Sequence, residues 1–277
     1  MPNVGKVGII GLGKMGEALV SGLLLSQAYA PRDIYAYDIV PERYRYMKSK
    51  YGINILKSAS EVASTSNIVT IVVKPQDIAD AIQEVKKAPL KDKIILSLAA
   101  GISTSYLVKH LPKGTEVIRA MPNLACSIGE GMICVTSGKG ASKRSLDKAT
   151  KLLELTGRVL QIDEKYMDAV TGLSGSGPAF VYVFIEALAD AGVRLGLQRD
   201  LAFTLAAQTT LGAGKLVVST GEHPAKLKDM VVTPGGTTIE GLIEIEKGGL
   251  RAVVIEAVSK TAEKARHLQA LLNKNLS

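Results

Sequence analysis

The sequence predicts an α/β domain with a doubly wound parallel sheet, followed by an all-helical domain. Two observations predict the first domain: short apolar runs alternate with helical patterns up to residue 163, and the connections between them are short. A third observation predicts the second domain, because no strand-like run recurs from residue 164 on. We therefore expect domains at 1–163 and 164–277.

The predicted strands are apolar and rich in β-branched residues. NIVTIVV at 67–73 is a continuous apolar run, as expected of a strand that helices cover on both faces. Predicted helices include GLGKMGEALVSGLLLS at 11–26 and a short polar helix at 41–51. The other predicted strands lie at 4–10, 33–38, 93–100, 115–122, 131–137 and 158–163.

Apolar residues of the second domain fall at the three- and four-residue spacing of helices. Phe180, Phe184 and Leu188 share one face of its first long helix. Asp200 is the expected N-cap of the next helix, and Pro224 is the expected first residue of another. The domain is rich in Ala and Gly, which allows its helices to pack closely.

The composition argues against several classes of protein. No apolar run approaches the roughly 18 residues that span a bilayer, and no signal sequence opens the chain, so we expect a cytoplasmic protein without membrane contact. The net charge of +8 comes from scattered lysines and Trp is absent, which favours anionic small molecules over nucleic acid. Cys126 and Cys134 fit no metal-ligand spacing, and we expect neither a metal site nor a disulfide framework.

Three glycines follow the first predicted strand at the spacing Gly11-x-Gly13-x-x-Gly16 and open a helix. In such a unit the first glycine permits a tight turn, the second lets a pyrophosphate approach the backbone, and the third packs the helix on the strand. The N–H groups at the helix start suit the phosphates. This context predicts a Rossmann dinucleotide site, and the alternative is a glycine-rich turn without a ligand.

Asp38 ends the second predicted strand, where a carboxylate can bond the ribose hydroxyls of a dinucleotide. That position favours NADH and repels the 2′-phosphate of NADPH, although Arg43 can offset the repulsion. Both NADPH and NADH therefore stay open as the cofactor. The alternative for Asp38 is a solvated surface carboxylate.

Two further predicted strands end in VVKP at 72–75 and SLAAG at 97–101. Loops at the carboxyl ends of strands line the ligand crevice of such sheets. Lys74 can act there as an acid or contact a phosphate. The simpler interpretation is a lysine that precedes the turn at Pro75.

The helical half offers hydroxyls and backbone amides rather than a well-placed acid. TGLSGSGPAF at 171–180 predicts either a second backbone nest or close helix packing. Lys215 has no amide partner downstream, and His110, His223 and His267 lie outside the glycine-rich segments. Reduction of a ketone leaves an alkoxide that needs an acid, whereas reduction of a protonated C=N bond leaves a neutral amine. The sequence thus favours an imine substrate.

VVTPGGTTIEGL at 231–242 places two glycines and two threonines before a helix. The two glycines, Gly235 and Gly236, permit unusual backbone angles. The N–H groups around Gly236, Thr237 and Thr238 can then converge on a carboxylate, with the Thr238 hydroxyl turned toward a ring nitrogen. The alternative is an ordinary helix start with Thr as its cap.

Seven segments together resemble the pyrroline-5-carboxylate reductase family over nearly the whole chain. They are GLGKMG, VVKP, SLAAGI, VIRAMPN, AVTGLSGSGPAF, LKDMVVTPGGTTIEGL and EKGGLRAVVIEAV. The resemblance implies reduction of 1-pyrroline-5-carboxylate to L-proline with NADPH or NADH. It also implies a Rossmann domain, a helical dimerisation domain, and a homodimer that can assemble further into a decamer.

Carried over by position, the resemblance implies the residues of the site. Thr238 is the implied catalytic residue, and the substrate is expected to contact Glu164, Gly236, Thr237 and Thr238. Asn123 is expected near the nicotinamide. The implied cofactor contacts are Gly11, Leu12, Gly13, Lys14, Met15, Gly16, Val73, Lys74, Pro75, Leu98, Ala99 and Ala100.

Three departures from the family pattern leave cofactor contacts open. Met230 stands where some relatives have a polar residue, and Ala59 stands where some have Asn. Asp38 replaces a small polar or Asn-Arg pattern, which leaves the preference for NADPH open.

Two other functions compete with the reductase. The segment IIGLGKMG also suits β-hydroxyacid dehydrogenases, which require a catalytic Lys with a nearby Asn, a pair that Lys215 does not provide. A cofactor-binding regulatory protein without catalysis is the third hypothesis. The intact pair of Thr237 and Thr238 argues against it.

Overall fold

The computed structural model describes residues 5–275 and divides into two compact units. The first unit contains the chain up to Ser176 together with the chain from Ser259 on, and the second is Gly177–Val258. The sequence-based domain boundary between residues 163 and 164 stays a prediction.

The first unit is built on one eight-stranded sheet. Its strands are β1 (Val7–Ile10), β2 (Ile34–Tyr37), β3 (Asn54–Ile55), β4 (Ile68–Ile71), β5 (Ile94–Ser97), β6 (Glu116–Met121), β7 (Gly131–Ser137) and β8 (Gly157–Gln161). Their order across the sheet is β3-β2-β1-β4-β5-β6-β7-β8, and neighbours are parallel except for β6 against β7. The strand order reverses between β1 and β4, and this switch point is where such sheets bind ligands.

Helices cover both faces of the sheet. They are α1 (Lys14–Leu25), α2 (Pro41–Tyr51), α3 (Ala59–Thr65), α4 (Ile78–Val85), α5 (Thr104–His110), α6 (Lys143–Glu154) and α7 (Met167–Val170). The helix predicted at 41–51 is confirmed, and it ends at Gly52 in a left-handed conformation with φ +67°. The described part of the first unit also has short 3₁₀ helices at Pro31–Asp33, Pro75–Asp77, Leu124–Ile128 and Glu164–Tyr166.

Two apolar clusters hold the helices to the sheet. All four residues in each of β1, β4 and β5 are buried, which explains why these strands are almost entirely apolar. On one face α1 buries Leu19 and Leu23, and on the other α4 buries Ile78 and Ile82. Burial of each such side chain contributes about 2 kcal/mol. This packing fixes the start of α1 beside the ends of β1 and β4.

The second unit is entirely helical. It contains α8 (Gly177–Arg194), α9 (Arg199–Thr220), α10 (Pro224–Val231), α11 (Thr237–Lys247) and the first part of α12 (Leu250–Asn275). Pro224 is the first residue of α10, as predicted. The prediction for Asp200 is wrong, because Gln198 is the N-cap of α9. Asp200 lies in the first turn, where its negative charge interacts favourably with the helix dipole.

Small residues join α8 to α9. Ala189 on α8 packs with Ala202 and Ala206 on α9, and these three are the residues of the small buried cluster described in this unit. Most large apolar side chains of α8 and α9 are exposed instead, among them Val183, Phe203, Leu211 and Val218. Exposed apolar side chains in such number mark this surface as an interaction surface.

The expectation that no segment is long enough to span a bilayer is wrong. The helical stretches at 164–194 and 199–220 are long and apolar enough by length and composition, and only 11% of the most apolar window of each is buried. The first stretch reaches this length because the helix continues through the glycine-rich segment. That segment, predicted as a possible nest, is a π-helical turn at Thr171–Gly175.

Candidate functional site

The three glycines of the predicted fingerprint have the three expected geometries. Gly11 has φ +99°, and a Cβ there would lie 2.7 Å from the carbonyl oxygen of Val72. A Cβ on Gly16 would overlap the carbonyl oxygen of Gly11, so the helix packs on the strand only with glycine here. A Cβ on Gly13 would meet no described atom within 4 Å. The open side of the turn is therefore at Gly13.

The start of α1 is suited to an anion. Gly13 is its N-cap, and no described side chain caps this end. The N–H groups of the first turn consequently have no side-chain acceptor, and the helix dipole adds to their attraction for phosphate. The residues present thus fit the pyrophosphate of a dinucleotide.

The main-chain N–H and carbonyl oxygen of Leu12, inside the glycine turn, both form hydrogen bonds to side chains. Its N–H donates to Asp38 Oδ2 at 2.5 Å, and its carbonyl oxygen accepts from Arg43 Nε at 2.8 Å. Asp38 Oδ1 also accepts from the N–H of Val40 at 2.8 Å. Asp38 is therefore more than a solvated carboxylate, because it fixes the glycine turn. The ribose contact of Asp38 stays a prediction.

Arg43 belongs to a charged cluster beside the same turn. Its Nη2 pairs with Glu17 Oε2 at 2.9 Å, and Glu17 Oε1 accepts from Tyr46, Lys50 and Tyr51. Burial raises the pKa of Glu17, but these hydrogen bonds outweigh burial and lower its pKa to about 2. Arg43 is thus already committed to Leu12 and Glu17.

The low pKa of Glu17 predicts a pH-dependent contribution to stability. A carboxyl whose pKa is lowered in the folded state stabilises the fold above its ordinary value of 4.5, and this contribution is lost as pH falls toward about 2. We expect Glu17→Gln to lower the free energy of unfolding at pH 7 by about 1 kcal/mol after solvent screening, and by less at pH 3.

Thermal unfolding at the two pH values measures this difference, with an expected decrease of about 3 °C at pH 7. Glu84→Gln is the matched control, since Glu84, on α4, forms an exposed ion pair with Lys87, which lies just after the helix. Equal losses at both pH values for Glu17→Gln would contradict the assignment.

The loops after β4 and β5 meet at a cavity of about 370 Å³ within the first unit. Pro75 and Ala100, two predicted cofactor contacts, line it, and Leu98 and Ala99, which precede Ala100 in the same loop, are buried. Val73 is half-buried, whereas Lys74 is exposed and is the residue before the 3₁₀ turn at Pro75. The other side of the cavity comes from α12, including Lys260 and Lys264, which sequence reasoning missed.

Glu164 is held firmly inside the first unit. Its Oε1 accepts from the Thr104 N–H at 2.7 Å and from Arg119 Nη1 at 2.9 Å, and its Oε2 accepts from Thr104 Oγ1 at 2.6 Å. Sequence reasoning missed both partners. The signal was a single arginine within the apolar strand VIRAM, where an unpaired charge would be costly. The substrate contact of Glu164 stays a prediction.

In the second unit the start of α11 is free of side-chain capping. Gly235 has φ +66°, and Gly236 donates its N–H to the carbonyl oxygen of Thr233 at 3.0 Å. A Cβ on Gly236 would overlap the Thr233 hydroxyl. Gly236 is the N-cap, and no described side chain bonds this end, so the alternative of a Thr cap is wrong. Thr237 is exposed and Thr238 half-buried.

The remaining candidates from the sequence are Asn123, the two cysteines and possible metal ligands. Asn123 donates to the carbonyl oxygen of Ser174 and accepts from the N–H of Met132, so its amide bridges two segments. Cys126 and Cys134 are buried, and both are free cysteines. Among residues 5–275, no three His, Cys, Asp or Glu side chains are grouped so that they could hold a metal ion.

Two family models match the chain. Residues 164–268 match the model described as pyrroline-5-carboxylate reductase dimerisation, and residues 6–101 match the model described as NADP oxidoreductase, coenzyme F420-dependent. The first match contains Glu164 and the Gly236–Thr238 segment, and the second contains the glycine turn and Asp38.

Curated relatives match over nearly their full length. A pyrroline-5-carboxylate reductase from Methanosarcina acetivorans is 40% identical, over 95% of this chain and 97% of its own. One from Escherichia coli is 39% identical, over 95% and 98%. A solved structure of Plasmodium falciparum pyrroline carboxylate reductase with NADP bound has a TM-score of 0.87 at 31% identity, and covers 96% of this chain and 98% of its own. The predicted fold class and family resemblance are confirmed.

Proposed function

The chain belongs to the pyrroline-5-carboxylate reductase family, and we propose that it reduces 1-pyrroline-5-carboxylate to L-proline with a reduced nicotinamide dinucleotide. The observation that carries this proposal is the match at about 40% identity over 95% of the chain, because it includes both the glycine turn and the Gly236–Thr238 segment. The proposal covers the final step of proline biosynthesis and places the enzyme in the cytoplasm.

The reaction moves a hydride to the imine carbon of a protonated C=N bond. The electron pair of the C–N π bond moves to nitrogen, and the product is a secondary amine. When bound, the nicotinamide supplies the hydride. The protein need only hold and align the reactants and exclude water, and alignment alone contributes roughly 7–11 kcal/mol in favourable cases.

The residues of the chain divide these tasks. We propose that the start of α1 at Gly13 holds the pyrophosphate, and that Leu98, Ala99 and Ala100 line the nicotinamide end. The N–H groups at the start of α11 would hold the substrate carboxylate, because that end is free of a side-chain cap. Thr238 is the proposed catalytic residue, whose hydroxyl accepts a hydrogen bond from the ring nitrogen.

The assay of the proposed function is direct. Purified protein mixed with 1-pyrroline-5-carboxylate and either NADPH or NADH should lose absorbance at the reduced-nicotinamide band, and proline should accumulate in equal amount. The absence of turnover with both cofactors would overturn the assignment.

NADPH and NADH are both proposed as cofactors. The NADP oxidoreductase match supports NADPH, and the carboxylate of Asp38 supports acceptance of NADH. Asp38 has one acceptor site left on each oxygen after its bonds to Leu12 and Val40, which suits two ribose hydroxyls.

We expect Asp38→Ala to lower kcat/KM with both cofactors, and to lower it more with NADH. The loss common to both cofactors follows because the Leu12 N–H loses its acceptor and the glycine turn is less firmly held. The additional loss with NADH follows from the missing hydrogen bonds to the ribose. A difference of about 10-fold between cofactors corresponds to one charge-assisted hydrogen bond. Steady-state kinetics with each cofactor measure it. Equal losses would remove Asp38 from the ribose site.

The second unit is proposed to form a homodimer with a second copy of the chain. The support is the exposed apolar surface of α8 and α9 together with the dimerisation match at 164–268. Protein rather than lipid is thus the proposed cover for the two membrane-length stretches. We also propose a domain boundary between residues 163 and 164, and decamers as the higher assembly. Light scattering of the purified protein measures the subunit number.

A further inference from the structure

The carboxylate of Glu164 has almost all of its hydrogen-bonding capacity committed. A carboxylate accepts about four hydrogen bonds, two on each oxygen. Thr104 and Arg119 fill both positions on Oε1, and the Thr104 hydroxyl fills one on Oε2. One acceptor position is left, on Oε2. The side chain of Glu164 is 30% exposed, so the carboxylate is not sealed from solvent.

Arg119 depends on Glu164 in turn. Its side chain is 1% exposed on β6, and its Nε and Nη2 are buried without a hydrogen-bond partner among the described residues. Its ion pair with Glu164 is the one described for this guanidinium. A buried charge that loses its partner is strongly unfavourable, so the pair constrains the carboxylate to one orientation.

Thr104 adds a second constraint. It is the first residue of α5, directly after the loop that begins at Leu98, and it bonds one Glu164 oxygen with its N–H and the other with its hydroxyl. Two donors on one residue fix the plane of the carboxylate as well as its distance. The same loop lines the cavity at Ala100 and Gly101.

We propose that Arg119 and Thr104 are positioning residues of the reductase, which hold the Glu164 carboxylate so that its single open acceptor position binds a water and its negative charge faces the protonated ring nitrogen of the substrate, whose one N–H donates to Thr238. This inference rests on the proposed function. A negative oxygen at that position stabilises the protonated imine, which is the form that accepts a hydride. Neither residue touches the substrate.

The test uses four forms of the full-length protein: wild type, Arg119→Met, Glu164→Gln and the double variant. We expect each single substitution to lower kcat/KM for 1-pyrroline-5-carboxylate by about 100-fold, the cost of a misaligned group in an active site. The KM for NADPH should change less than about 2-fold. Because Arg119 acts through Glu164, the double variant should lose no more than Glu164→Gln alone.

Lys93→Met is the control for stability. Lys93 donates to the carbonyl oxygens of Ser64 and Ser66 at the amino end of β5, so its loss weakens the fold far from the carboxyl ends of the strands. Its kcat/KM should equal that of wild type at a temperature where the protein is folded. Arg119→Lys keeps the charge and should recover about 10-fold of the loss.

Thr104→Val keeps the N–H and removes the hydroxyl, and it tests the same position should Arg119→Met fail to fold. We expect a decrease in kcat/KM of about 10-fold. Multiplicative losses in the double variant, or kcat/KM within 2-fold of wild type in Arg119→Met, would overturn the positioning role alone. Where Arg119→Met does not fold, kcat/KM within 2-fold of wild type in Thr104→Val has the same meaning. A wild-type protein without turnover would overturn the reductase and this role together.

Discussion

Gly13→Val should abolish tight dinucleotide binding while leaving the fold intact. Gly13 has φ −65° and ψ −167°, a conformation that any residue adopts, and a Cβ there would meet no described atom within 4 Å. The new side chain would instead fill the space through which a pyrophosphate approaches the start of α1. Loss of two hydrogen bonds to a charged group predicts an increase in the Kd for NADPH of at least about 100-fold.

Fluorescence titration with NADPH measures the Kd, and thermal unfolding without cofactor measures the fold. The midpoint of Gly13→Val should stay within about 2 °C of wild type, as for other open surface positions. Gly16→Val is the matched contrast, because its side chain would overlap the Gly11 carbonyl oxygen and should lower the midpoint strongly. Tight NADPH binding by Gly13→Val would remove this turn from the cofactor site.

Local chemistry explains what the sequence predicts correctly. The buried strands β1, β4 and β5 are apolar except for Thr70 and Ser97, a pattern that a sequence displays directly. The glycine turn is predictable for a similar reason, because its three glycines stand at a fixed spacing directly after a buried strand. The strand β3 has only two residues, too few for any periodicity to be recognised.

Contacts between distant residues account for the rest. Asp38 reaches Leu12 across 26 positions, and Arg119 reaches Glu164 across 45. Each residue alone has an ordinary interpretation, as a surface carboxylate or a strand residue. Only the strand order, with β2 beside β1, brings Asp38 to the turn. The pairing therefore depends on topology, which no short segment encodes.

The π-helical turn at Thr171–Gly175 has a related cause. The segment has the composition of a loop, with its glycines and serines, yet the structure continues a helix through it. Small residues relax the constraints on the backbone without choosing one conformation. Here the Thr171 hydroxyl donates to the carbonyl oxygen of Met167, and the Ser174 hydroxyl donates to the carbonyl oxygen of Val170. Each hydroxyl thus bonds the carbonyl four residues earlier, as Ser and Thr do within helices.

Thr238→Ala should lower turnover of the imine while leaving cofactor affinity near that of wild type. Thr238 is the second residue of α11 and is half-buried, and no hydrogen bond to its hydroxyl is described within residues 5–275. The hydroxyl is thus not needed to cap the helix, and alanine is compatible with this position. Loss of a hydrogen bond to a charged ring nitrogen predicts a decrease in kcat/KM of about 10- to 100-fold.

Thr238→Ser is the matched control, because it keeps the hydroxyl and removes only a methyl group. Steady-state kinetics should place it within about 3-fold of wild type, since the remaining difference is one small contact. Thermal unfolding of both variants checks that the helix start is unchanged. Because Gly236 rather than a threonine is the N-cap, a loss in Thr238→Ala with an unchanged midpoint assigns the hydroxyl to the substrate. An unchanged kcat/KM in Thr238→Ala would leave the N–H groups of α11 as the anchor.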